Sequence, residues 1–173
     1  MAGCETFDEF YEGTCRSLLR QLTAMTLDRE LAAEAVQEAY VKAWQRWKHV
    51  GQLDDPSGWV RTVAWHHAVS QYRRRLVGAR LLPLVSRREA VPPPQPEDRL
   101  DLEDALRQLR PEQRRALVLH EYVGLSVQEI ADETGVAEGT VKSRLSRGRD
   151  ALAAILGRGY PSGPVGPSAE VTP

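Results

Sequence analysis

Residues in catalytic spacing are scarce in this chain. Among its 173 residues there is no Gly-rich phosphate loop, no nucleophile elbow and no zinc motif, so nothing marks it as an enzyme. Cys4 and Cys15 are the only cysteines. They lack ligand spacing, and free, reduced thiols are expected rather than a bridge or a metal site. His66 and His67 are adjacent and diverge by about 100° on a helix, while His49 and His120 have no partner at ligand spacing. Neither metal nor cofactor is expected. No apolar run approaches the length that crosses a bilayer, and the opening MAGCETFDEF has no basic segment leading into an apolar stretch. A membrane helix and a secretion signal are therefore not expected, and a cytoplasmic location is the default. Strand signals are also missing, with no sustained period-2 alternation and no Asn-Gly or Asp-Gly hairpin turn. An all-α fold remains.

What the chain has is segregated charge. The formal net charge is only −1, yet residues 59–88 hold seven arginines and no acid, and 137–158 hold five basic residues against two acidic ones. Between them, 89–104 carry six acids and one arginine. Screening limits exposed charges to roughly 8–10 Å, so local patches rather than the total decide whether a polyanion can bind. The near-neutral sum does not exclude nucleic acid.

Helical periodicity recurs along the chain. Thr6 to Leu22 reads as a first helix, and Asp28 caps a second whose Ala32, Val36, Ala39, Ala43 and Trp47 share a side. Ser57 is the expected cap of a third, running to about Leu76. These helices form one expected domain, residues 1–77. The stretch 78–99 contains Pro83 and the cluster Pro92, Pro93, Pro94 and Pro96, which cannot continue a helix, and reads as an extended linker. Helical pattern resumes at Leu100, with Pro111 at a first-turn position. Residues 100–157 make a second small domain, and 158–173, rich in Gly, Pro and Ser, read as a disordered tail.

The second domain ends in GLSVQEIADETGVAEGTVKSRLSRGRDAL. Ser126 and Glu129 have capping-box spacing, with Leu125 and Ile130 as the flanking staple. Gly135 stands where the helix must stop. A short helix, a Gly-containing turn and a second helix make the unit that sets its second helix in the major groove. At about 100° per residue, Val141, Leu145, Gly148 and Leu152 share the inner arc. Thr140, Lys142, Ser143, Ser146 and Arg147 point outward as base-reading candidates, and Arg144, nearer the edge, suits a phosphate. Ala137 holds the expected N-cap, where Ser or Thr would serve better. On the third helix His66, Ser70, Arg73 and Arg74 share a face, and with Arg61 and Arg75 nearby it suits a DNA backbone. On the second helix Glu34, Gln37, Glu38, Val41, Lys42 and Gln45 lie away from the core side.

EIADETGVAEGTVKSRLSRGRDAL resembles the promoter-reading C-terminal domain of bacterial extracytoplasmic-function (group IV) sigma factors of the sigma-70 superfamily. AEAVQEAYVKAWQRW and GWVRTVAWHHAVSQYRRR resemble the second and the DNA-facing helices of the family's N-terminal domain. The joint order of the three segments is far more specific than GTVKSRL alone, which other helix-turn-helix regulators share. The resemblance covers roughly Phe7 to Leu156. It implies that Glu34, Gln37, Glu38, Val41 and Lys42 dock on the clamp of the RNA polymerase largest subunit. By the same likeness His66, Ser70, Arg73 and Arg74 meet the −10 element, and the loop Lys48 to Gly58 receives an unstacked base. His66 and Ser70 stand where relatives commonly carry Asn and Asp. Thr140, Lys142, Ser143, Arg144, Ser146 and Arg147 would read the −35 element. The implied partners are RNA polymerase core, including the flap of its second-largest subunit, promoter DNA, and in some relatives an anti-sigma factor. The alternative is a stand-alone helix-turn-helix regulator that binds operators without polymerase. Trp59 and Trp65 are expected in the core rather than stacked on bases.

Overall fold

In a computed structural model the protein is all helical among the described residues, which are 6–81 and 97–156, with side chains described for 6–75 and 102–156. Cys4, most of the expected linker and all of the expected tail lie outside them.

The N-terminal domain is α1 (Phe7–Thr26), α2 (Arg29–Gln45), the single turn α3 (Trp47–Val50) and α4 (Pro56–Leu81). Local chemistry sets each start. The Thr6 hydroxyl accepts from the Glu9 N–H, and the Asp28 carboxylate accepts from the Leu31 N–H at 2.9 Å, each satisfying one of the donors that a helix start leaves free. The third expected cap is displaced. The Gly58 N–H donates to Asp55 Oδ1 at 2.8 Å, so Asp55 rather than Ser57 caps α4, with Pro56 as its first residue, where a missing N–H costs nothing. Ser57 lies inside the helix. Helix α1 runs to Thr26, past the expected Leu22, and α4 passes the expected Leu76 to end at Leu81. At the other side α5 begins at Glu97, so helix enters both ends of the segment 78–99.

Phe10, Leu18 and Leu22 of α1, the Ala/Val stripe of α2, and Val60, Ala64 and Ala68 of α4 fill the first core. Small side chains on α2 let it pack closely between α1 and α4. Trp47 has left α2 for α3, and packs against this core together with Trp59 and Trp65. Both α4 tryptophans are thus packed against the core, as expected.

The C-terminal domain is α5 (Glu97–Gln108), α6 (Pro111–Leu117) continued by a π-turn (Val118–Tyr122), α7 (Val127–Thr134) and α8 (Glu138–Leu156). The Ser126 hydroxyl accepts from the Glu129 N–H while Glu129 Oε2 accepts from the Ser126 N–H at 2.7 Å. Those bonds hold the Glu129 carboxyl below the usual range. Gly135 ends α7 at φ 68°, the left-handed conformation that the stop requires. Helix α8 starts at Glu138, after Ala137, whose carbonyl accepts from Thr140 and Val141. Ala137 is exposed and has no side-chain oxygen to offer the first turn. Ala137→Ser is therefore expected to stabilise the domain by about 0.5–2 kcal/mol, read as a higher denaturant midpoint at constant m-value.

Candidate nucleic-acid interface

Three surfaces stand out. The first is the outer side of α8. Val141, Leu145, Gly148 and Leu152 are all buried, as the arc required. Gly148 matters because a Cβ there would sit 2.8 Å from Leu117 Cδ1, so its absence lets α6 and α8 close. Thr140, Lys142, Ser146 and Arg147 are exposed, and Ser143 and Arg144 are half-buried at the edge. Two charges of this helix are engaged: Lys142 Nζ lies 3.3 Å from Glu138, and Arg149 lies 2.6 Å from Glu121. Arg147 has no ion-pair partner among the described residues. It is a solvated guanidinium on the outer side of a helix-turn-helix.

The second surface is a cleft between α2 and α4, lined by Lys42, Gln45, Arg46, Trp59, Val63, His66, His67, Ser70, Gln71 and Arg74. No carboxylate is among these residues, and three are cationic. His66, Ser70 and Arg74 therefore share one site, with exposed Arg73 on the same helix. Arg46 joins them unforeseen, because its position at the end of α2 showed no periodic relation to α4. None of the lining comes from residues 48–58. Two neighbours in the sequence reading lie elsewhere. Arg75 is paired to Asp28 at 3.2 Å. Arg61 faces away from the cleft, 3% exposed, beneath the other domain.

The third surface is an apolar groove between α1 and α2, lined by Phe7, Tyr11, Cys15, Leu19, Ala33, Val36, Gln37, Tyr40, Val41 and Trp44, with Asp8 at one end. Tyr11 and Tyr40 meet edge to face with centroids 4.9 Å apart, and the Tyr40 hydroxyl lies 2.7 Å from that of Thr14. Burial pushes the Tyr40 hydroxyl's pKa well up, so the wall stays neutral. Cys15 is a free thiol in the groove. Trp44 is 64% exposed and Val41 44%, which is unusual for apolar side chains of this size that lie together.

The residues expected on one α2 surface are thus divided. Gln37 and Val41 line the groove, while Lys42 belongs to the cleft. Glu38 is exposed and enters neither. Glu34 is engaged by α4: Gln71 Nε2 donates to it at 2.8 Å, and His67 and Arg75 approach to 3.5 and 3.7 Å. The division follows from helix geometry. Gln37, Val41 and Trp44 fall within about 60° of one another, whereas Lys42 lies about 100° beyond Val41. Trp44 went unassigned because tryptophan is by default core, although its spacing from Gln37 and Val41 carried the signal.

Comparison with known proteins places these surfaces in a family. The profile "Sigma-70 region 2" matches residues 10–76, and "Sigma-70, region 4" matches 99–152. The ECF RNA polymerase sigma factor SigL of Mycobacterium tuberculosis is 33% identical over 145 residues, spanning 78% of this chain and 80% of that protein. SigM of the same species is 30% identical over 155 residues, 87% of this chain and 77% of the relative. Among solved structures, the sigma factor RpoE of Bartonella quintana, in complex with the anti-sigma factor NepR, superposes with a TM-score of 0.73 at 27% identity, covering 87% of this chain and 96% of that one. With a region 2 that carries the cleft and the groove and a region 4 that carries α8, the chain belongs to the extracytoplasmic-function family of RNA polymerase sigma factors.

Proposed function

We propose that the chain acts as the bipartite address of a transcribing polymerase, with each surface given one task. The outer side of α8, through Thr140, Lys142, Ser143, Ser146 and Arg147 with Arg144 on phosphate, reads the −35 element in the duplex major groove. The cleft, through His66, Ser70, Arg73 and Arg74, holds the melted −10 strand, with Lys42 and Arg46 added to its cationic wall. The apolar groove, through Gln37, Val41 and Trp44, receives the polymerase clamp. RNA polymerase performs nucleotidyl transfer; this chain makes no bond itself. Its work is then cytoplasmic, where template and polymerase are.

The observation that carries this reading is the presence of two open cationic faces on two separate domains of one chain, beside an exposed apolar groove. A stand-alone operator-binding regulator needs the α8 face alone. The −35 and −10 elements lie more than two duplex turns apart, and two turns are about 70 Å. The 15 residues between Leu81 and Glu97 reach at most roughly 50 Å, which together with the widths of two domains covers that distance. Tethering makes the second contact intramolecular, so two weak readers give a useful total. An inhibitory partner of the class bound by the Bartonella protein is expected to compete for these surfaces.

Co-elution of the full chain with core polymerase in gel filtration at low ionic strength tests the reading; separate peaks would refute it. Within the cleft, Arg73→Ala is expected to weaken promoter binding about equally for any −10 sequence and to lower the salt slope by about 1. A loss confined to one −10 sequence would instead make Arg73 a base reader.

A further inference from the structure

Two histidines stand side by side on α4, and the fold gives them different surroundings. Successive helical residues diverge by about 100°, which turns His67 towards the acidic side of α2 and leaves His66 in the open cleft. His67 is partly buried, with Nε2 3.5 Å from the Glu34 carboxylate and 3.4 Å from Gln71 Nε2. His66 is exposed. The charged and titratable groups that line the cleft with it are Lys42 and Arg46 from α2, and His67 and Arg74 from α4, with exposed Arg73 on the same side of α4. The acids of the neighbouring turns of α2, Glu34 and Glu38, are not in the lining, and neither α1 nor the C-terminal domain contributes to it.

Imidazole is the side chain that ordinarily gains or loses a charge between about pH 5 and 8. At His67 a gained charge falls beside Glu34 and completes an ion pair within the fold. At His66 it joins a cluster of cations that holds no anion of its own. Neighbouring like charges disfavour such a gain, and an arriving phosphate favours it. The cleft is therefore built so that a nucleic-acid backbone brings in the one anion that His66 lacks.

We infer that His66 is a proton-linked contact for the −10 strand: as the strand enters the cleft, the imidazole takes one proton from solvent, and both ring nitrogens then donate, one of them to a backbone phosphate. The inference rests on the reading of the cleft given above. Its sign follows from linkage. The bound state carries one more proton than the free state, so affinity rises as pH falls. One proton limits the change to about tenfold per pH unit. A drop in the pH around the chain strengthens its hold on the melted strand, and His66 sets that response while Arg73 and Arg74 supply a charge that does not vary.

Titration of the full chain against a short labelled single strand of mixed sequence, at fixed low ionic strength, tests this. Wild type is expected to bind about five- to tenfold more tightly at about pH 6 than at about pH 8. His66→Asn keeps a polar side chain without the charge, and should bind weakly at both pH values, with less than about a twofold difference. His66→Lys carries the charge throughout and should bind tightly at both. His66 is exposed, so neither substitution disturbs a packed contact. His67→Gln should keep the wild-type gradient, because that ring is paired to Glu34. Calorimetry in two buffers of different ionisation heat should read about one proton taken up by wild type and none by His66→Asn. A wild-type gradient that survives in His66→Asn, or one that disappears in His67→Gln instead, would overturn the inference and leave the cleft as a strand-binding site. A wild-type chain that binds no single strand at either pH would refute the −10 reading of the cleft, and the inference with it.

Discussion

Trp44→Ala is expected to weaken binding of the chain to core polymerase by about 2–4 kcal/mol, roughly 30- to 1000-fold, while leaving its melting temperature nearly unchanged. Both halves follow from one observation. Trp44 is 64% exposed at the edge of an apolar groove, so it contributes little to the fold, yet it offers the largest apolar surface that a partner could cover. Tryptophans that enter a desolvated interface centre dominate binding energies, and Val41 beside it supplies the apolar surround. Binding of labelled chain to core enzyme, together with a thermal melt, reads both quantities. A change in affinity below about threefold would show that the clamp docks elsewhere. A large drop in melting temperature would mean that Trp44 is structural.

The second large effect is on promoter choice. Arg147→Ala is expected to cost about 1–3 kcal/mol in −35 recognition and to relax selectivity at one base position. Arg147 is exposed on the outer side of α8, whereas its neighbours Lys142 and Arg149 are held by Glu138 and Glu121. A planar, unengaged guanidinium can donate two parallel bonds to a guanine edge in the major groove, and alanine leaves that edge unpaired. Arg144→Ala, at the half-buried edge, is expected to lower affinity for all −35 sequences alike. Competition among promoters that differ at each −35 position separates these outcomes. Unchanged promoter preference in Arg147→Ala would remove it from the base-reading set.

What could be read from the sequence was what neighbours in the chain decide. The Ser126–Glu129 box, the Gly135 stop, the Asp28 cap and the buried arc of α8 depend on residues within a turn or two of one another, and the fold has them as expected. The cap of α4 was displaced by two residues because Asp55 and Ser57 are both good caps, and Pro56 decides between them by its fixed φ. Long-range placement was less legible. With no acid in residues 59–88, Arg61 reads as a neighbour of the DNA-facing His66–Arg74 side, but it sits on the stripe that faces the C-terminal domain and pairs with Glu133, 72 residues away. Charge counting cannot see a partner at that separation. The surface expected on α2 separated for a similar reason: the helix has two exposed sides, and only the positions of α1 and α4 decide that Val41 meets a groove and Lys42 a cleft.

Run-off transcription with purified core polymerase bears most directly on the bipartite address. Templates would carry a −35 element and a −10 element at native separation, or the same two elements moved apart by half a duplex turn. With the chain present, transcripts should start at one position on the first template and fall steeply on the second, and core enzyme alone should yield neither. Equal transcription from both templates, or sequence-specific binding by the isolated chain that polymerase does not alter, would mean that the two domains do not jointly direct the enzyme.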